Sequence, residues 1–430
     1  MSDDKPNGQQ VSRREFIGQS VAAAATVAGF MIVKPEQVRG SEANSAIRVG
    51  LLGCGDRGTA DTEFLLNAGP TRLVALADLF QDKLDKARAH FDDIAKSKGQ
   101  SRVNKRQMFR GPEAFQEMAN SKEVDAVVLT TPPFFHPQHL DALVTAGKHV
   151  YCEKPVAVDM YGINRVLDCG RRAEGRLSLE VGFQLRNAPP YVAQRQQILA
   201  GALGTIASGE GYYFSGYLKK PDWPGVSADE RMMRNWVHYR ILSGDIIVEQ
   251  NIHVIDQFNW LLGAHPVRAT AACGRRFRPD HGNASINYNV VFYYPQGINV
   301  TFSSTQFDKG WGDVAWRLFG SKGVSEAHYN GPVAIYGDQP WNWQTAAGAQ
   351  AGGAKVSQNN LKEADPDKKK SFVDSILSGK FHNQVQEGVD SAVSTMIARQ
   401  AAYTAEDVTW EGFTSSDERW ELPFDLNQFA

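Results

Sequence analysis

The chain has 430 residues, 42% of them hydrophobic, and a formal net charge of −2. That length holds about two domains, and the near-neutral balance excludes the basic footprint of a nucleic-acid binder. Four cysteines, Cys54, Cys152, Cys169 and Cys273, form no CxxC pair, so no metal site of that type is expected, and buried free thiols are.

The first segment reads as an address. Ser12-Arg13-Arg14-Glu15-Phe16-Ile17 is a twin-arginine signature, followed by an alanine- and glycine-rich stretch over 21–33. Its weak hydrophobicity suits twin-arginine export, which carries folded proteins. Residues 1–45 are therefore expected to be signal and linker, and the partner is the twin-arginine export machinery. Ser41-Glu42-Ala43 matches a small-residue cleavage site poorly, so periplasmic and membrane-tethered forms both stay open. No later apolar run is long enough to span a bilayer.

Ile47-Arg48-Val49-Gly50-Leu51-Leu52 is β-rich and apolar, the pattern of a strand buried on both faces. Gly53-Cys54-Gly55-Asp56-Arg57-Gly58 follows at once, giving GxGxxG. Gly53 is expected to make the tight turn, Gly55 to admit a pyrophosphate, and Gly58 to let helix pack on strand. A helix over 57–68 would aim its N-terminus at the phosphates. A second apolar run over 72–77 ends in Asp78, 20 residues after Gly58, where a ribose-binding acid belongs. Asp78 favours NAD over NADP, because a carboxylate accepts from the 2′-hydroxyl and repels a 2′-phosphate. Leu79 offers no basic group to that phosphate. Asp56 and Arg57 are counted with the cofactor site, Arg57 either pairing with a phosphate or capping the turn.

The alternation continues with helices over 84–95 and 114–119, a strand over 124–129, a helix over 137–146 and a strand over 149–152. This predicts an α/β Rossmann domain over 46–155 with a doubly wound parallel sheet. Thr130-Thr131-Pro132-Pro133 and Glu153-Lys154-Pro155 fall at the carboxyl ends of strands, where such sheets bind ligands.

At Glu153-Lys154-Pro155 the sequence resembles the glucose–fructose oxidoreductase / inositol dehydrogenase / MocA (Gfo/Idh/MocA) family. The resemblance is carried by residues 53–58, by Thr131-Pro132 with His136, by Ala146-Gly147-Lys148-His149-Val150-Tyr151-Cys152-Glu153-Lys154-Pro155, by residues 244–256 and by Trp260-Leu261-Leu262-Gly263, and runs over about 47–410. It implies a second, α+β domain over 156–430 whose open, mainly antiparallel sheet covers the nicotinamide, and a homo-oligomer. Strands over 203–214, 269–274, 287–294 and 298–307 fit this, as do C-terminal helices over 368–378 and 389–406.

The resemblance also places catalysis on Lys154 and on a helix over 244–262. Glu249 and His253 stand four residues apart on one face of it. The family's usual acid there is aspartate; glutamate reaches one methylene further. In alcohol oxidation, a base near neutral pKa takes the hydroxyl proton, and a lysine can stabilise the developing alkoxide. Lys154 and His253 both remain open as the base. Asp256, one turn on, caps the helix or bridges domains. The cofactor set is Gly53, Gly55, Asp56, Arg57, Gly58, Asp78, Thr131, Pro132, His136, Glu153 and Lys154. The substrate set is Gln184 and Arg186, after a strand over 177–182, with Arg234, Asn235, Trp236 and Tyr239. These offer donors and a stacking plane to a pyranose. Trp311, Trp316, Trp341 and Trp343 either frame a cleft or pin loops, and residues 344–359 are small and polar.

The expectation is an NAD-dependent oxidoreductase acting on a sugar, sugar derivative or polyol. The alternative is an NAD-dependent glycoside hydrolase working by transient oxidation and elimination. A non-catalytic dinucleotide sensor is the third reading, opposed by the intact Lys154, Glu249 and His253. Export would require the enzyme to fold around its cofactor first and keep it tightly bound.

Overall fold

The computed structural model describes residues 46–276, 282–343 and 359–430. The twin-arginine signature and the cleavage candidate at 41–43 lie outside these residues, as does nearly all of the polar stretch 344–359. Ile47–Ala430 form one compact unit. Among the described residues no helix is long and apolar enough to cross a membrane.

The N-terminal half runs β1 (Ile47–Leu52), α1 (Asp56–Leu66), β2 (Thr71–Asp78), α2 (Gln81–Ser97), β3 (Met108–Arg110), α3 (Ala114–Asn120), β4 (Ala126–Leu129), α4 (His136–Thr145), β5 (His149–Cys152), α5 (Met160–Ala173) and β6 (Leu179–Val181). The sheet order is β3-β2-β1-β4-β5-β6, with parallel pairings throughout. Strand order reverses between β1 and β4, and that crevice is where open α/β sheets bind ligands. Val49 and Leu51 pack into one apolar cluster and Leu52 into another, so β1 is buried on both faces. The three-residue β3 escaped the sequence reading because so short a run shows no periodicity.

The second half adds α6 (Pro189–Leu199), β7 (Ile206–Phe214), α7 (Ala228–Arg234), α8 (Ile246–Glu249), α9 (Ile252–Leu262), β8 (Arg268–Gly274), β9 (Asn287–Tyr293), β10 (Asn299–Thr305), β11 (Asp313–Gly320), β12 (Gly323–His328), β13 (Val333–Gly337), β14 (Trp341–Asn342), α10 (Ala364–Ser378), α11 (Val385–Thr404) and β15 (Val408–Thr409). Its sheet has the order β14-β13-β12-β11-β7-β10-β9-β8-β15, antiparallel except between β7 and β10. Gly211 brings this sheet onto the site-bearing helix: a Cβ there would lie 2.9 Å from both the Phe258 ring and Val254. Trp311, Trp316, Trp341 and Trp343 do not frame the cleft. Trp316 is buried in β11 against Tyr191, Trp341 sits in the edge strand β14, and Trp311 is exposed beside Phe214.

The single helix expected over 244–262 is two helices. The amide of Asn251 bonds to the Ile246 carbonyl, five residues back, and a new helix starts at Ile252. Before the break, Asp245 holds φ at 85°, a conformation that side-chain-bearing residues rarely adopt. Its carboxylate accepts from the amides of Ile246 and Ser285 and from the Tyr403 hydroxyl, which together hold the turn.

A buried ion cluster ties α10 to the Rossmann half. Lys369, fully buried, lies 2.6 Å from Asp61 of α1 and 2.9 Å from Asp365. It also donates to the Tyr151 hydroxyl at 2.9 Å. Burial and the neighbouring Glu153 push the Asp61 carboxyl up, against the pull of Lys369 and Arg57. Removing Lys369 therefore strands buried carboxylates. Lys369→Met should destabilise the fold by about 3–5 kcal/mol in urea unfolding, and Lys369→Met with Asp61→Leu should recover most of that loss.

His139 is buried, stacked on Phe115 and Phe135. Burial, then the neighbouring His136 and Arg165, lower its pKa to about 3. The unfolded chain takes up this proton below about pH 6.5 and the folded chain does not. Stability should thus fall as pH drops from 6.5 towards 3, by at most about 1.4 kcal/mol per pH unit for this group. Urea midpoints measured from pH 7 to 5 should show a shallower decline in His139→Gln; an identical slope would remove His139 as a source.

Candidate active site

The crevice beyond β1 and β4 opens into a cavity of about 420 Å³ lined by Leu52, Gly53, Gly55, Asp78, Thr130, Thr131 and Pro132. Each glycine of the loop acts differently. Gly53 takes φ 98°, and a Cβ there would lie 2.7 Å from the Thr130 backbone. A Cβ on Gly58 would lie 2.2 Å from the Gly53 carbonyl oxygen, so α1 packs on the loop only with glycine there. A Cβ on Gly55 would meet nothing within 4 Å. The N-terminus of α1, whose free amides favour anions, therefore faces open space at Gly55. That open cradle fits a pyrophosphate.

Asp78 lines the same cavity. Its carboxylate accepts from the amide of Cys54 at 2.7 Å and of Phe80 at 2.9 Å, so it also braces the glycine loop. Burial raises its pKa, with the two amides opposing. Other members of the expected cofactor set are turned elsewhere. Asp56 points to solvent and pairs with Lys86. Arg57 neither meets the cavity nor caps the turn; its guanidinium lies at 3.0 Å from Glu153, 3.1 Å from Asp61 and 2.8 Å from Asp365. His136 is buried, with Nδ1 2.7 Å from the Pro155 carbonyl and Nε2 2.6 Å from that of Thr131. It pins two loops together and presents neither ring nitrogen to the cleft. Glu153 is likewise buried below the site, where its carboxylate accepts the Lys154 amide. Burial alone would raise the Glu153 pKa, but Arg57, Lys154 and Lys369 outweigh it and hold the group ionised.

A second cavity, also about 420 Å³, is lined by Lys154, Tyr213, Lys219, Asn235, Trp236, Glu249, Gln250 and His253. Arg234 and Trp236 line both cavities. Lys154 Nζ donates to Glu249 Oε1 at 2.8 Å and to the Glu249 backbone carbonyl at 2.6 Å. The expected partnership therefore changes: the Glu249 carboxylate holds Lys154, across 95 residues of chain, where the sequence pattern had paired it with His253. His253 is buried, and its Nδ1 has no hydrogen-bond partner among the described residues. Burial first, then Lys154, lower its pKa to about 3, well below the near-neutral value expected of a base. The ring is thus neutral at physiological pH.

The expected substrate set divides. Asn235 and Trp236 line the second cavity, and Asn235 Oδ1 is buried with no hydrogen-bond partner among the described residues. Arg234 lines it too, but its guanidinium is committed to Asp82 at 2.9 Å and Glu230 at 2.7 Å and stacks on Phe80 and Trp223. Arg186 is held by Asp256 at 2.7 Å, so its guanidinium is committed within the protein. Gln184 opens the short turn Gln184–Asn187 and lines neither cavity. Tyr239 packs in an apolar cluster with Phe135, Met233 and Leu242. Sequence reasoning missed Tyr213, Lys219 and Gln250 in the second cavity, and Phe80, Lys83 and the tail residues Leu422, Phe424, Asp425, Leu426 and Asn427 in the first. Only the tail carried a signal, an alternation of apolar and polar residues over 420–427.

Two family models match the chain. Residues 47–181 match an oxidoreductase family with an NAD-binding Rossmann fold, and residues 191–326 match the GFO/IDH/MocA C-terminal domain. An inositol 2-dehydrogenase of Rhizobium meliloti (strain 1021) is 28% identical over 296 residues, 67% of this chain and 78% of that protein. Inositol 2-dehydrogenase 2 of Saccharopolyspora erythraea is 28% identical over 215 residues, 49% of this chain and 56% of its own length. Among solved structures, an aldose-aldose oxidoreductase from Caulobacter crescentus, complexed with glycerol, superposes with a TM-score of 0.65 at 19% identity, covering 85% of this chain and 99% of that one. At that identity the superposition shows the fold alone. With an open-cradled glycine loop, an acid at the end of β2 and both family models in register, the chain belongs to the GFO/IDH/MocA family of NAD-binding oxidoreductases.

Proposed function

We propose that this oxidoreductase transfers hydride between NAD and a carbon-bound hydroxyl or carbonyl of a sugar, sugar derivative or polyol. The observation that carries the reading is the second cavity, where Lys154, Glu249 and His253 share a wall next to the dinucleotide cleft. The named relatives act on inositol or aldoses, and they lend no support to the hydrolytic alternative.

Gly53, Gly55 and the N-terminus of α1, with Asp78, Thr131 and Pro132, would hold the dinucleotide, which when bound supplies the hydride acceptor or donor. Lys154 has three N–H donors, and Glu249 takes two of them. The third is left for a substrate oxygen, where it stabilises an alkoxide as it develops. The neutral His253 ring can accept the hydroxyl proton. Its low pKa makes it a weak base in the resting site, so the charge on Lys154 carries more of the work. Asn235, Gln250 and Trp236 offer polar contacts and an aromatic plane to neighbouring hydroxyls. We infer further that the twin-arginine signature sends the folded enzyme out of the cytoplasm, and that copies of the chain associate.

Lys154→Ala and His253→Ala should each lower turnover by about 10²–10⁴, and the double variant should be little worse than either. NAD affinity should stay within a few-fold, because neither residue lines the dinucleotide cavity. Glu249→Ala should act through Lys154 and depress turnover, with Glu249→Asp retaining part of it. Steady-state rates beside NAD titrations check all of these; near-parental turnover in His253→Ala would take the ring out of the reaction.

Asp78→Ser combined with Leu79→Arg should shift preference from NAD towards NADP. Each charge-assisted hydrogen bond lost from the ribose is worth roughly 1.5–3 kcal/mol. Overall affinity should also fall, since Asp78 braces the amides of Cys54 and Phe80. An unchanged NAD-to-NADP affinity ratio in calorimetry would contradict the assignment.

A further inference from the structure

We propose that residues 418–430 form a strap that closes the adenosine end of the dinucleotide cleft, so that NAD(H) enters and leaves only when the strap unseats. The inference rests on the NAD reading of that cleft.

The segment is fixed at both ends. At its root the Glu418 carboxylate pairs with buried Arg399 at 3.1 Å, its carbonyl accepts the Tyr161 amide, and the Trp420 amide donates to Asp159 at 2.7 Å. At its tip Arg110, at the end of β3, donates to the carbonyl oxygens of Phe429 at 3.2 Å and Ala430 at 2.9 Å. Gln428 reaches Asp229 of α7 at 3.2 Å. Between root and tip the chain crosses the cleft mouth.

Every second residue faces in. Trp420, Leu422, Phe424 and Leu426 are half-buried, while Glu421, Pro423, Asp425 and Asn427 are exposed. Up to Asp425 this is the two-residue period of an extended chain with one covered side, and Leu426–Phe429 then form a short 3-10 turn. Leu422, Phe424, Leu426 and Phe429 pack with Leu79, Phe80 and Trp236, and the Phe429 ring meets the Phe80 ring edge-on at 5.9 Å. Leu79 and Phe80 directly follow Asp78, which marks this as the adenosine side, away from Lys154. Five tail residues line the cavity itself.

Its manner of attachment suits a gate. Residues 420–425 belong to no helix or strand, so side-chain contacts hold this stretch. Elements with few buried contacts and exposed backbone open locally at low free energy. Strap opening therefore does not require the core to unfold.

The test uses the full chain and three proteins: the parent, Phe424→Ser with Leu426→Ser, and Arg110→Ala, which frees the tip by changing an exposed arginine. NADH association and dissociation are followed separately by stopped-flow fluorescence, and folding by thermal melting. Both variants should release NADH about tenfold faster or more and also take it up faster, because a seated strap obstructs both directions and an unseated one neither. Should the double variant fail to fold, Arg110→Ala decides alone. Release within about twofold of the parent would overturn the strap. So would faster release with unchanged uptake, which marks the tail as a contact and not a gate. A parent that binds no NADH would instead overturn the NAD reading itself.

Discussion

The contact between Lys154 and Glu249 organises this molecule. It joins a loop at the end of a Rossmann strand to a four-residue helix far along the chain, with two hydrogen bonds from one ammonium group. Each side is held from behind. Asp245, in a strained conformation, fixes the start of the helix that carries Glu249. Gly211 lets the antiparallel sheet press against Phe258 of the next helix. Without these supports the lysine would have no fixed direction in the second cavity.

Below the lysine lies a second layer of charge. Arg57, Asp61, Glu153, Asp365 and Lys369 bring together three carboxylates and two cations, largely out of water. Removing any one partner leaves a neighbour uncompensated, which is far worse than an exposed pair lost. This explains why Arg57, adjacent to the phosphate cradle, does not serve it. Burial first, then the charge of Lys154, keep His253 neutral, while Glu153 and Asp365 of this layer pull the other way.

The dinucleotide cleft combines rigid and yielding walls. Its floor is the parallel sheet and the glycine loop, whose close contacts leave no room for a side chain at Gly53 or Gly58. Its adenosine wall is finished by α7 and by a tail that makes no ladder over 420–425. A rigid floor sets where a dinucleotide lies; the yielding wall bears on how long it stays.

The sequence by itself determined what depends on neighbours along the chain. Strand-turn-helix chemistry at 47–58, the acid at Asp78 and the alternation to Cys152 are local patterns, and the parallel sheet and its glycine loop stand where those patterns predict. Lys154, Glu249 and His253 were legible as a group, through resemblance and helical spacing. Their pairing was not, because Lys154 and Glu249 lie 95 residues apart and the helix breaks between Glu249 and His253. Periodicity cannot distinguish one helix from two joined at a kink. Arg57, His136 and Arg186 were placed on ligands by position in the chain; the fold gives each a buried protein partner. Which charges a polar side chain meets is decided by elements that arrive from distant parts of the chain, such as α10 and α11. The tail over the cleft is the extreme case. Its alternation shows that one side is covered, and only the tertiary structure, by bringing residues 418–430 to the end of β2, decides by what.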